Sequence, residues 1–153
     1  MRKTKKYPFA VASDGSASTK ITGVEARWPG RLSKAFSTVS SYFLANYHRL
    51  RPHPGARGLT SSEAMVVIQI LDFKWSEAAP FPTLKTIATR MGISQRQVRS
   101  IVKQLEELEY LERVQVSDWS SNRFYFEGLY AALEKLMDED NAKEAEEADK
   151  EGA

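Results

Sequence analysis

The segment from Leu84 to Leu105, LKTIATRMGISQRQVRSIVKQL, leaves few ways to fold. It reads as a helix, a tight turn and a second helix. Ala88 is small where the second helix must cross closely. Gly92 follows four residues later, where the turn needs a positive φ that glycine adopts at least cost. Ile87, Met91, Ile93, Val98 and Ile101 supply the apolar contacts that lock two helices at a steep angle. Ser94 is a good N-cap for the second of them. The plainer alternative is a helical hairpin within a bundle.

The polar positions of the second helix argue against that alternative. Val98, Ile101, Val102, Leu105 and Leu108 are expected to face inward, and Gln95, Arg96, Arg99, Ser100 and Lys103 outward. The first half of the helix is basic, with Arg96, Arg99 and Lys103. The second half is acidic, with Glu106, Glu107 and Glu109. That order opposes the helix dipole by roughly 0.3–1 kcal/mol per charge. A helix built only for stability would not choose it, whereas one whose N-terminal half enters an anionic groove would. Arginine forks onto guanine and glutamine onto adenine in the major groove. Arg96, Arg99 and the glutamines are therefore candidates for base readout.

Flanking elements extend the pattern. Thr60-Ser61-Ser62-Glu63 has the spacing of a capping box, and AMVVIQILDFKW after it is apolar around most of a helix, as a buried helix of a small domain is. This helix is expected to end near Trp75. Helices are expected over 83–90 and 95–109, strands over Leu111–Ser117 and Arg123–Glu127, and a short last helix over Leu129–Met137. Asp118 to Asn122 would turn the hairpin, and Phe81-Pro82-Thr83 could add a short third strand. Trp119, Asn122 and Arg123 would lie at or near the hairpin tip, Trp119 more as support than as a contact, and Arg123 as a phosphate or minor-groove contact.

On these residues, 59–137 resembles the winged helix-turn-helix domains of bacterial, phage and plasmid DNA-binding proteins. FPTLKTIATRMGISQRQVRSIVKQLEELEYLERV carries most of the likeness. NRFYFEGLYAALEKL is similar to the segment closing the wing in small replication and regulatory proteins of mobile elements. The resemblance implies a mainly α fold with a small β-hairpin, a winged helix-turn-helix preceded by an extra N-terminal helix, and double-stranded DNA as partner. It implies that Gln95, Arg96, Arg99, Ser100 and Lys103 form the recognition-helix face, and that Thr83 and Lys85 contact the backbone. Lys103, Lys85, Thr83, Asn122 and Arg123 are the expected phosphate contacts. Residues 1–58 have no counterpart in the resemblance.

Charge divides the chain unevenly. Residues 1–60 carry a net +9, residues 61–137 a net −1, and residues 138–153 a net −6. Residues 1–30 are expected to be a disordered basic arm in which Arg2, Lys3, Lys5 and Lys6 add sequence-independent attraction to DNA. The tail 138–153 is expected to be disordered or a frayed helix; a sharper reading makes it a competitor of DNA for the arm. Between arm and domain, Leu32, Phe36, Val39, Phe43, Tyr47 and Leu50 recur at the 3.6-residue helical period. One helix is therefore expected over 31–50, followed by a Pro/Gly linker to residue 58. Its stripe could be core, a homodimer seam or a docking face.

Other functions find little footing. The chain has no Cys, which excludes disulfides, Cys-based zinc sites and thiol catalysis. His48 and His53 straddle Pro52, with no Asp or Glu within seven residues of either, so no metal site is expected. The Glu106, Glu107, Glu109 and Glu112 cluster reads as a solvated polar face. There is no phosphate loop or serine elbow, so neither an enzyme nor a cofactor is expected. The apolar stretch Phe9–Ala12 is too short for a secretory leader, and no run approaches the ~20 residues of a membrane span. The cytoplasm is the expected location. Two DNA-binding roles fit: a transcription regulator on a two-fold site, and a phage or plasmid replication or partition accessory protein holding machinery. A winged-helix protein-interaction module without DNA is a weaker third.

Overall fold

Hydroxyl side chains start the main helices. In the computed structural model, which describes residues 23–115 and 122–152, Thr60 forms the expected capping box. Its Oγ1 accepts from the Glu63 amide at 3.2 Å and its own amide donates to Glu63 Oε1 at 2.8 Å. Ser94 forms a second capping box with Gln97, and Thr83 caps the helix between them by its hydroxyl alone. The helices that follow are α3 (Ser61–Leu71), α4 (Leu84–Met91) and α5 (Gln95–Glu107).

The chain divides into two units, residues 1–36 and 37–153. The described part of the first holds α1 (Val24–Arg27) and a 3-10 turn at Gly30–Ser33, neither with a buried side chain. The second opens with α2 (Ser41–Asn46) and a 3-10 turn at Tyr47–Arg49. The single helix expected over 31–50 is therefore broken. Ser37, Thr38 and Ser40 are weak helix formers whose hydroxyls compete for the backbone, and β-branched Val39 is a weak one through its restricted χ1. Ser40 accepts from the Phe43 amide at 3.3 Å and begins a fresh helix. The apolar stripe splits accordingly. Leu32 is 63% exposed, whereas Phe43 and Leu50 are buried and Val39 and Tyr47 pack against the core.

α3 stops at Leu71, before the expected end near Trp75. The Lys74 ammonium donates to the carbonyls of Ser76, Glu77 and Ala78 at 3.0–3.2 Å, which folds the chain into a loop. Trp75 is left 72% exposed. Val66 and Ile70 of α3, Ile87 of α4, and Val98, Val102 and Leu105 of α5 form the core. Strands β1 (Glu112–Gln115) and β2 (Asn122–Tyr125) pair antiparallel with Val114 opposite Arg123. Phe124 and the following Phe126 are buried. No third strand forms among the described residues. Pro80 and Pro82 lack amide protons, and the segment's one backbone–backbone bond to β2 among the described residues runs from the Phe124 amide to the Pro80 carbonyl at 3.0 Å.

The last helix, α6, runs from Glu127 to Glu151, so the tail from residue 138 is helical where disorder or fraying was expected. Its composition, read as solvating, is also rich in the helix formers Ala, Glu and Lys. Leu129 is buried and Ala132, Leu133 and Leu136 pack against the core. One turn later Asp140 accepts from both Arg49 Nη atoms at 2.7 and 2.8 Å and from the Tyr42 hydroxyl at 2.8 Å. The Arg49 guanidinium, then the Tyr42 hydroxyl, hold its carboxyl well below the usual range. No helix among the described residues is long and apolar enough to cross a membrane.

Glu63 is the one buried charged side chain among the described residues, at 4% exposed. Arg57 grips it with two bonds, at 2.6 and 3.0 Å. Those bonds, chiefly, lower its pKa against the opposing effect of burial. A depressed carboxylate pKa stabilises the fold above the unfolded value of about 4.3, and that contribution is lost as pH falls through the lower folded value. Glu63→Gln keeps an acceptor for the Thr60 amide but not the charge. It should lower stability at pH 7 by about 1–2 kcal/mol. The gap to the wild type should close in acid; urea midpoints measured across pH check this, and a constant gap contradicts it.

Candidate nucleic-acid interface

Local chemistry fixes the junction between α4 and α5. Gly92 adopts the left-handed conformation, φ 67 and ψ 31. The Ile93 amide returns to the Ala88 carbonyl at 3.1 Å and the Gly92 amide to Thr89 at 3.3 Å, a Schellman closure. Ala88 is buried, as a close crossing requires. Ser94 then starts α5. Its Oγ accepts from the Gln97 amide at 3.1 Å, and Gln97 Oε1 accepts from the Ser94 amide at 2.9 Å. Gln97 is therefore engaged in a capping box and does not join the reading set, whereas Gln95 is exposed at the start of the helix.

The two faces of α5 fall where the spacing places them. Val98, Val102 and Leu105 are buried, with Ile101 and Leu108 packed against the core. Gln95, Arg96, Arg99, Ser100 and Lys103 are exposed. Among the described residues Arg96, Arg99 and Lys103 form no ion pair. Three cations thus stand unneutralised on the N-terminal two-thirds of a helix whose dipole disfavours them there. At the other end Glu106 pairs with Arg113 of β1, a partner that the sequence reading missed. Glu107 and Glu109 are exposed.

The expected phosphate contacts fare unequally. Lys85 is exposed on the first turn of α4, with no ion pair among the described residues. Thr83 is exposed, but its hydroxyl caps α4, accepting from the Thr86 amide at 3.1 Å and sharing a bond with the Thr86 hydroxyl at 2.9 Å. Asn122 is half-buried and pairs with Gln115 at the end of the described ladder. Arg123 is the second residue of β2, and its Nη1 donates to the Ala79 carbonyl at 3.2 Å. Trp119 and the turn expected over 118–122, apart from Asn122, lie outside the described residues. So do Arg2, Lys3, Lys5 and Lys6 of the arm.

Arg90, at the end of α4, is a further missed residue. It pairs with Asp72 and stacks over Phe73, 4.8 Å from the ring centre. Its partners lie 17 and 18 residues upstream, beyond any local spacing rule. Among the described residues, no group of three or more His, Asp or Glu side chains is placed to hold a metal ion.

Residues 57–111 match a family model described as a helix-turn-helix domain. The match runs from just before α3 to the turn after α5 and stops where β1 begins. No curated protein matches the chain.

Proposed function

From the match of residues 57–111 to a helix-turn-helix domain model, we propose that the chain is a sequence-specific double-stranded DNA-binding protein that acts as a transcription regulator and not as an enzyme. α5 enters the major groove. Gln95, Arg96, Arg99 and Ser100 meet base edges, while Lys103, Lys85, Asn122 and Arg123 hold phosphates. The observation that carries this reading is the exposed basic face of α5, without an ion pair among the described residues and set against its own dipole. A two-fold site bound by two copies of the chain is expected.

A replication or partition accessory role is the second reading. It is favoured by α6 beyond Asp140, an exposed and acid-rich helix that offers a machine component a surface the regulator reading leaves idle.

Selection of bound duplexes from a random DNA library, repeated at two salt concentrations, tests the proposal. An enriched motif that survives the higher salt is expected. An inverted repeat supports the regulator and direct repeats the accessory role. No enrichment, with binding lost to salt, leaves only counterion release and contradicts base readout. On a selected duplex, Lys85→Ala should weaken all sequences alike and reduce the salt slope by about 0.9. A change confined to one sequence would remove Lys85 from the backbone set.

A further inference from the structure

Segment 79–81 and strand β2 meet through three contacts. The Phe124 amide donates to the Pro80 carbonyl at 3.0 Å. Arg123 Nη1 donates to the Ala79 carbonyl at 3.2 Å. The Arg123 guanidinium carbon lies 5.0 Å from the centre of the Phe81 ring. Phe81 is 59% exposed, so core filling does not account for it. What the ring does is give a flexible cation a flat seat.

The seat leaves Arg123 ready to act. A guanidinium has five N–H donors in a fixed plane, and one of its two Nη groups makes the bond to Ala79. The others have no hydrogen-bond partner among the described residues. Thr83 and Lys85, at the start of α4, lie two and four residues beyond Phe81. The Phe81 seat thus lies two residues before the N-cap of that helix.

We infer that Phe81 is a positioning residue for DNA binding: with the Ala79 carbonyl it holds Arg123 as a phosphate contact alongside Lys85, so that wing and helix pair engage the duplex as one surface. This rests on the DNA-binding reading above. The test measures affinity against salt concentration for the full chain, using a labelled duplex recovered from the library selection. Phe81→Ala should weaken binding roughly two- to fivefold, the factor an exposed cation–π contact is worth. It should also lower the salt slope by about 0.9, as Arg123→Ala does. Phe81→Tyr, which keeps the ring, should restore both. The double variant Phe81→Ala/Arg123→Ala should bind no worse than Arg123→Ala alone. A lowered melting temperature with an unchanged slope, or additive losses in the double variant, overturns the inference. Arg99→Ala separates the two failures. If it weakens binding while Phe81→Ala does not, the positioning role alone falls; if neither does, the DNA-binding face is misassigned.

Discussion

Replacing Gly128 with alanine should cost the fold about 3 kcal/mol, the upper range for forcing a methyl into a filled site. At a solvated helical position the same change stabilises by about 1 kcal/mol, so the sign itself is diagnostic. A Cβ at Gly128 would stand 1.9 Å from the Glu109 carbonyl oxygen. That oxygen is backbone and cannot swing aside as a side chain would. Glu109 is held in the left-handed region, φ 61, by two closing bonds: its own amide to the Glu106 carbonyl at 2.9 Å, and the Tyr110 amide to Leu105 at 3.0 Å. Relief requires α6 to move off the end of α5, which loosens Leu129 in the core. Urea unfolding of Gly128→Ala should show a lower midpoint with an unchanged slope. An equal or higher midpoint would mean that α6 does not pack on the α5 turn as described.

That junction matters for function because it braces the C-terminal end of α5, while the Schellman turn at Gly92 and the Ser94 cap brace the other. Between them the exposed face of α5 is carried on a rigid helix, as a precise set of base contacts requires.

The helix pair was legible in the sequence because its determinants are local. Ala88, Gly92 and Ser94 act within a few residues of their partners, and the α5 faces follow from a fixed angular step per residue. The Thr60 capping box was legible for the same reason. Periodicity alone misled over 31–50. The stripe from Leu32 to Leu50 has a helical spacing, yet the Ser/Thr-rich stretch at 37–41 ends one segment and caps another. Composition misled at the tail. A run of Glu, Ala and Lys is both solvating and helix-forming, and the helix is tied down by a pair, Arg49 to Asp140, whose members lie 91 residues apart. The site residues divide along the same line. Arg96, Arg99 and Lys103 are exposed as their helical positions dictate. Gln97 and Thr83 are occupied as caps. The partners of Arg123, at Ala79 and Phe81, arise only once the hairpin folds back.

The second large effect falls on Arg99, which occupies the middle of the exposed face of α5, without an ion pair among the described residues, flanked by Arg96 one turn before and Lys103 one turn after. If α5 lies in the major groove, Arg99 reaches a base pair, and its planar fork matches the two acceptors of guanine. Removing it leaves those acceptors unmet in a desolvated groove. Arg99→Ala should therefore weaken binding by about 1–3 kcal/mol and relax preference at one position of the site. A phosphate-contacting cation behaves differently, since its loss weakens every sequence and leaves preference intact.

The most direct measurement is accordingly the affinity of wild type and Arg99→Ala for a selected duplex and its single-base variants at fixed salt. The account predicts a loss of roughly five- to 150-fold on the selected duplex. It also predicts that one base position ceases to matter, with the other positions read as before. Unchanged affinity and unchanged preference would contradict the placement of α5 in the groove.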